Sequence, residues 1–590
     1  MARKLLIAAV AGLAALLVSS TVGGAATSTR VAPSDVVTQV VLMPGVGFQR
    51  VVQYTSHGPV VLDVVTAPKP DGILYTLAPA LSNGAIVGTE RLTEMEKGAA
   101  GSATVVGVNG DFFAANPGSP SGILIRGGVL DSAPAANRTS LAVAPSGTLT
   151  AARVGFEGTW RGTGQRRALD LNRASIAGHT TLYTPAWGPA TPAESGVVED
   201  VIGSLPATTP NRILPGAVTQ QVAQGDTPIP SGGAVLVSRG AQAPHLTAEA
   251  PVGTTVEVRL ALTPDWSGMS GAIGGGPLLV SGGKPVFRAK ESFGDKVLGT
   301  RTSRSAVGQL PDGRVLLVTV EGGSVAYSSG MSSYDLAVTL ARLGAVTAVG
   351  LGSGDPAGMA FNGDLLTRPS ARAEQPISDA LLLSYTGVYA AEPSTAALSP
   401  NGDGVDDTQT FSYKLVRPSQ VTATLLGPDH STRTLVQDEQ QPGSHTLQWD
   451  GRAPGGGPSA EGGWKLNVAA VDDRAVRSTA ERQFELNDTL GGLQATPPAA
   501  RLRAGSRGVV AATFELAHPA RVRVTVEKRS GIVVATLLDK PIQPGAQKVL
   551  WNGRTWTGAL AFTGAYQLHV VATNTVGKVS LVAPFVARRS

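Results

Sequence analysis

Up to residue 390, any chemistry in this chain must rest on carboxylates, arginines, hydroxyls and backbone amides. The only histidines in that region are His57, His179 and His245, and the 590 residues include no cysteine. No histidine pair is spaced for zinc, and neither a Gly-x-Ser-x-Gly elbow nor a Walker loop occurs. Thiol chemistry and disulfide stapling are excluded. Residues of the types that remain can move protons between carboxyl groups and hold an anion on a guanidinium fork.

The strongest local signal is Val105-Val-Gly-Val-Asn109-Gly110-Asp111-Phe112-Phe113, an apolar strand ending in a glycine turn that carries two polar side chains and is anchored by two aromatics. Polar groups at a strand end can face a pocket. Downstream lie Ser121-Gly122-Ile-Leu-Ile-Arg126, Asn137-Arg138-Thr139-Ser140, Ala272-Ile-Gly274-Gly275-Gly276-Pro277, Arg301-Thr-Ser-Arg304-Ser305 and Ser328-Ser-Gly330-Met331. Tyr183 and Trp187 could stack a sugar ring, but core packing is the default for large aromatics.

These residues must be positioned mainly by strands. Gly 73 and Pro 40 point to many short strands joined by turns, so the expected fold class is α+β, with a β-rich N-terminal domain and few helices. One helix is predicted from Ser332 to Leu343: Ser332 and Asp335 form a capping box, Leu336, Leu340 and Leu343 share a face, and Gly344 is the stop. A second is predicted from about Thr89 to Lys97.

The first 26 residues read as a signal peptide, because Arg3 and Lys4 precede the apolar run Leu5 to Val18 and small residues follow up to Ala26. Cleavage near Ala26 and a secreted or envelope-associated protein are expected. The apolar run is shorter than the roughly 20 residues a membrane span needs, and no later one suffices. The formal charge of +5, about +3 without Arg3 and Lys4, is spread too thinly for a nucleic-acid partner.

Beyond residue 390 the texture repeats. Phe411 corresponds to Phe514, Pro418 to Pro519, Pro442-Gly443 to Pro544-Gly545, Trp449-Asp-Gly-Arg to Trp551-Asn-Gly-Arg, and Gly463-Trp464 to Gly564-Ala-Tyr566. Each copy alternates apolar and polar residues, as in Val421-Thr-Ala-Thr-Leu and Val522-Arg-Val-Thr-Val, which predicts two all-β sandwiches at 391–490 and 491–590. Both copies resemble the immunoglobulin-like module of the flagellar hook-capping protein. The first opens with Ser399-Pro-Asn401-Gly-Asp403-Gly-Val-Asp406-Asp407. Oxygen ligands at Asn401, Asp403 and Asp407 suit calcium as a cofactor, while an Asx-turn linker accounts for the same residues.

The ordered motifs before residue 390 resemble the phosphodiester glycosidase family. Its Asn-Gly-Gly-Phe-Phe segment matches Asn109 to Phe113, with Asp111 replacing the second glycine. Its Arg-Thr-Ala-Ile-Gly matches Arg304 to Gly308, and its Pro-Val-Ser-Asn-Ala-Leu-Leu matches Pro376-Ile-Ser-Asp379-Ala-Leu-Leu. The resemblance implies one domain over 27–390, with an insertion around 150–260. Where the family has Asn-Leu-Asp-Gly-Gly-Gly-Ser, this chain has Gly350-Leu-Gly352-Ser-Gly354-Asp355-Pro356, so aspartate becomes Gly352 and serine becomes Pro356. Glu321 stands where the family usually has Asp before Gly.

The resemblance implies cleavage of a sugar-1-phosphodiester of N-acetylglucosamine type, in a carbohydrate or phosphoglycan of the cell envelope. Arg304 would hold the phosphate, Asp111 would serve as acid or base, Asn109 would orient the sugar and Asp355 would stand in for the lost aspartate. Gly110, Phe112, Arg138, Ser305, Ser328 and Gly330 would line the substrate. Two alternatives stay open: Asn109 and Asp111 cap a buried turn while Arg304 bridges strands, and the domain is a catalytically degenerate glycan-binding or structural protein.

Overall fold

The computed structural model describes residues 36–287, 290–401, 404–503 and 509–589. The expected signal peptide lies outside the described residues, as does Asp403. Among the described residues, no helix is long and apolar enough to cross a membrane.

An eight-stranded sheet frames the N-terminal region. Its central strands run in the order Val46–Thr55, Gly58–Ala67, Val315–Val320, Arg304–Gln309 and Thr347–Ser353. Both faces are covered, so these strands read as long β-branched runs. One face puts Leu62, Val318 and Ala306 against Leu336 and Leu340 of the helix Ser333–Arg342. The other puts Val65, Leu317, Val307 and Val349 against Val106, Val108, Leu381 and Leu383 of a five-stranded sheet. That second sheet pairs Thr104–Asn109 between Met359–Phe361 and Asp379–Tyr385.

The helix Ser333–Arg342 carries the expected capping box of Ser332 and Asp335. The earlier helix runs over Leu92–Ala99 and starts later than Thr89, because Glu90 is held extended in a bridge to Ile377. This helix buries Glu96, whose Oε2 accepts the Gly363 N–H at 2.8 Å. Burial pushes the Glu96 carboxyl up to about 8. The fold therefore holds a proton there that the unfolded chain releases near pH 4.5, so stability falls as pH rises through this window. Glu96→Gln is expected to exceed the wild type in thermal midpoint, by a margin that widens from pH 5 to pH 8; a constant margin would contradict this.

The strands from Gly155 to Thr263 form a further eight-stranded sheet. Its core holds Trp160, Leu182 and Leu236. Tyr183 and Trp187 are buried edge to face at 4.9 Å, so the structure gives them the packing role.

Past residue 388 there are two units of like topology, each a three-stranded sheet packed on a five-stranded one. The repeated landmarks have one structural meaning: Trp449 Nε1 donates to Arg452 O at 3.0 Å, and Trp551 Nε1 donates to Arg554 O at 2.8 Å. Each tryptophan is buried and closes the same turn. The first unit docks on the N-terminal region through Lys414, whose Nζ donates to Ala100 O and Ala103 O at 3.0 and 2.7 Å, just past the end of the Leu92–Ala99 helix.

Candidate functional site

A polar row crosses the inner face of the large sheet, where the hydrophobic alternation would otherwise place aliphatic side chains. Arg50, Asp63, Thr319 and Ser305 stand opposite one another on successive strands. Ser305 Oγ donates to Asn109 Oδ1 at 2.5 Å, which links the row to the second sheet. Buried polar groups persist only when they are partnered, and most atoms of this row are.

At one end Arg50 joins two carboxylates. Its Nε donates to Asp63 at 2.8 Å, and its Nη2 donates to Glu321 at 2.8 Å and to Leu366 O at 2.6 Å. Asp63 and Glu321 are buried. Burial raises the Asp63 carboxyl against the pull of Arg50, and the Glu321 charge adds to the rise. The Tyr327 phenol is pushed up to about 12, first by burial and then by Glu321. Ser328 Oγ donates to Glu321 O at 2.5 Å and accepts the Val61 N–H at 3.0 Å, fixing the loop. Gly330 makes that loop possible: its φ is +69°, and a Cβ there would lie 2.5 Å from Thr302 O. The rim is formed by Arg368, whose guanidinium lies 4.5 Å above the Tyr327 ring and whose backbone N–H donates to Glu321 Oε1 at 2.8 Å. Two buried carboxylates thus share one cation, and the Asp63 carboxyl is the one that burial raises.

At the other end sits Asp111. Its Oδ1 accepts from Arg138 Nη2, and its backbone N–H donates to Asp379 Oδ1 at 3.1 Å. Arg138 also donates to Gly275 O through Nε at 3.0 Å and Nη2 at 2.7 Å, with its guanidinium between the rings of Phe112 and Phe293. Gly110 lies against Asp379, where a Cβ would come within 2.8 Å of the carboxyl. Asp111 and Asp379 are both fully enclosed. Burial raises both carboxyls; Arg138 restrains Asp111, whereas the Asp111 charge raises Asp379 further.

Two expected roles need correction. Arg304 does not converge with Asp111: it alternates to the opposite face of its strand from Ser305. There its Nε donates to Met331 O at 2.7 Å, and its Nη2 to Val297 O and Thr300 O at 2.8 Å. Burial lowers its pKa to about 10. It closes the end of the short helix Asp295–Gly299. Asp355 does not replace the lost aspartate either: it is exposed and accepts from Ser370 Oγ at 2.8 Å.

Asn109 is a pin between segments. Its Nδ2 donates to Gly352 O at 3.0 Å, and its Oδ1 accepts from Ser305 and from Gly358 N at 3.1 Å. Gly352 is crowded by that same turn, since a Cβ there would lie 2.9 Å from Asn109 Nδ2 and 3.0 Å from Asp111 O. Gly352→Asp is accordingly expected to cost about 1–3 kcal/mol of stability, read as a lower thermal midpoint, and to add no turnover; a gain in turnover would show that the turn opens.

In the first β-sandwich, Asn401 Nδ2 donates to Leu490 O at 2.9 Å and Asp407 Oδ2 accepts the Gly404 N–H at 2.6 Å. Asn401 thus ties its loop to the start of the next unit.

Asp63, Glu321, Arg50 and Asp379 were not among the expected site residues. Asp63 had a signal, as the one charge within Val60-Val-Leu-Asp63-Val-Val; a carboxylate inside a buried run needs a partner.

Comparison with known proteins agrees with this architecture. The family model for phosphodiester glycosidase matches residues 212–384, and the FlgD Ig-like domain model matches residues 500–575. YomE, an SPbeta prophage-derived protein of Bacillus subtilis, is 31% identical over 107 residues, covering 18% of this chain and 16% of its own length. A Synechocystis protein of known structure is 27% identical with a TM-score of 0.50, covering 60% of this chain and 64% of its own. The catalytic domain of zebrafish N-acetylglucosamine-1-phosphodiester alpha-N-acetylglucosaminidase aligns over 60% of this chain and 87% of its own, at 11% identity and a TM-score of 0.32. The chain thus spans less than two thirds of YomE and of the Synechocystis protein. On a β-rich chain, residues 212–384 carry a phosphodiester glycosidase domain and residues 500–575 a FlgD Ig-like domain.

Proposed function

We propose that the N-terminal domain hydrolyses a sugar-1-phosphodiester of N-acetylglucosamine type in an envelope glycopolymer, as part of an exported protein. The observation that carries this reading is the Asp63–Glu321 pair around Arg50, beneath a rim that presents Arg368 and Tyr327. In this scheme Arg368, rather than Arg304, meets the phosphate. A carboxylate of the pair takes a proton from water as its oxygen bonds to the anomeric carbon, and the carbon–oxygen bond to phosphate breaks. The products are the free sugar and a phosphomonoester. Phosphate is a good leaving group, so charge neutralisation by arginine matters more than acid assistance.

The second reading is a domain that binds such glycans without turnover. It is favoured by the crowding at Gly352 and by the commitment of Arg304 to backbone carbonyls. Release of chromophore from a chromogenic N-acetylglucosamine-1-phosphodiester, compared with Glu321→Gln, separates the two. Turnover lost in the variant supports the hydrolase. No turnover by the folded wild type, with retained binding of the phosphodiester, supports the binder.

A further inference from the structure

At the junction of the two β-sandwiches, three side chains from three segments point at one another. Glu461 immediately precedes the strand Gly462–Asp472, Asp488 sits in the link after Arg477–Leu486, and His518 lies in the turn between Val510–Leu516 and Ala520–Lys528 of the second unit. One ligand atom from each falls within a 4.8 Å cluster. His518 Nε2 is 2.8 Å from Glu461 Oε2 and 3.7 Å from Asp488 Oδ1.

Two carboxylates face a single imidazole here. Among the described residues, no arginine or lysine forms an ion pair with either carboxylate; His518 is their one basic neighbour. Asp488 Oδ1 is shut off from solvent and makes no hydrogen bond. Two carboxylates forced together need a proton or a cation between them. The backbone around them is held from both sides: Asn574 Nδ2 donates to Thr489 Oγ1 at 2.8 Å, and the Ala517 N–H donates to Thr489 O at 2.9 Å.

We propose that Glu461, Asp488 and His518 form a divalent transition-metal site, zinc being the best fit, that staples the first β-sandwich to the second. Imidazole nitrogen and carboxylate oxygen are both zinc ligands, and three protein ligands leave the fourth tetrahedral position to water. Tetrahedral ligands at zinc distances stand about 3.3 Å apart, close to the separations found, so small side-chain rotations suffice. The ligands bind metal in their deprotonated forms, so uptake weakens at acid pH. Residues from both units are required, so metal uptake and the angle between the units are linked.

The test titrates the chelator-treated full chain with zinc ion by calorimetry at pH 7.5, beside His518→Ala, Glu461→Gln and the control His179→Ala. Expected are one equivalent bound by wild type and control, affinity lowered at least tenfold in both site variants, and small-angle scattering that narrows on zinc addition only where the site is intact. His518 is half exposed, so His518→Ala leaves the fold in place, and a circular dichroism melt verifies this. Absence of stoichiometric zinc binding, or binding that His518→Ala leaves unchanged, overturns the proposal; calcium uptake independent of His518 points instead to the 399–407 loop.

Discussion

Replacing Arg138 with alanine is expected to cost the N-terminal domain about 3–5 kcal/mol, the usual penalty for removing one partner of a buried ion pair. The guanidinium is the cation that restrains Asp111, and it fills the space between Phe112 and Phe293. Without it, two enclosed carboxyls face each other with no positive charge. The sign of the pH dependence follows. In the variant, the folded-state pKa of Asp111 rises further above its unfolded value. Stability is then retained at acid pH, where the unfolded chain is protonated too, and is lost as pH rises through the ordinary carboxylate range and beyond. Denaturant unfolding of the first transition, at pH 4 and pH 8, measures this; a deficit that does not grow with pH contradicts it. Asp379→Asn is the counterpart. Burial and the Asp111 charge both raise the Asp379 carboxyl, and the resembling family has asparagine at this position, so the substitution is expected to be neutral or stabilising.

Glu321→Gln is expected to lower kcat/KM on the chromogenic phosphodiester by about 10²–10⁴-fold, the range for losing a positioned acid or base. The amide keeps a carbonyl oxygen for the Arg50 Nη2 and Arg368 N–H donors, so the thermal midpoint moves little. Removing the Glu321 charge also removes one cause of the raised Asp63 carboxyl. Asp63 then titrates lower, and the acid limb of any residual pH–rate profile moves to lower pH. Loss of turnover with an unfolded variant does not count, whereas wild-type turnover in a folded Glu321→Gln places the chemistry elsewhere.

The parts legible in the sequence are those fixed by local rules. Ser332 and Asp335 announce a helix start within four residues, and the Trp449 and Trp551 turns repeat with their flanking glycines and arginines. The resemblance likewise rests on short motifs that survive in order. Partner choice was not legible, because it is a tertiary event. Asp111 and Arg304 both stand in motifs of the resemblance, yet strand alternation sends Arg304 to the helix-covered face, and Asp111 finds Arg138 instead. The Arg50–Glu321 contact spans 271 positions, and no local pattern specifies it. Asp63 and Asp379, each a lone charge beside apolar neighbours, show that a buried-run carboxylate is a better guide to this interior than motif position.

Each β-sandwich also has a mechanical character. In both, the first strand of the five-stranded sheet pairs parallel with the last: Ala397–Leu398 with the end of Arg477–Leu486, over two residue pairs, and Ala499–Leu502 with the end of Lys578–Arg589, over four. Tension applied along the chain therefore slides these strands past one another, so that their slanted hydrogen bonds are strained together rather than unzipped singly. The second unit has the longer ladder, so of these two units the first is expected to yield at the lower force.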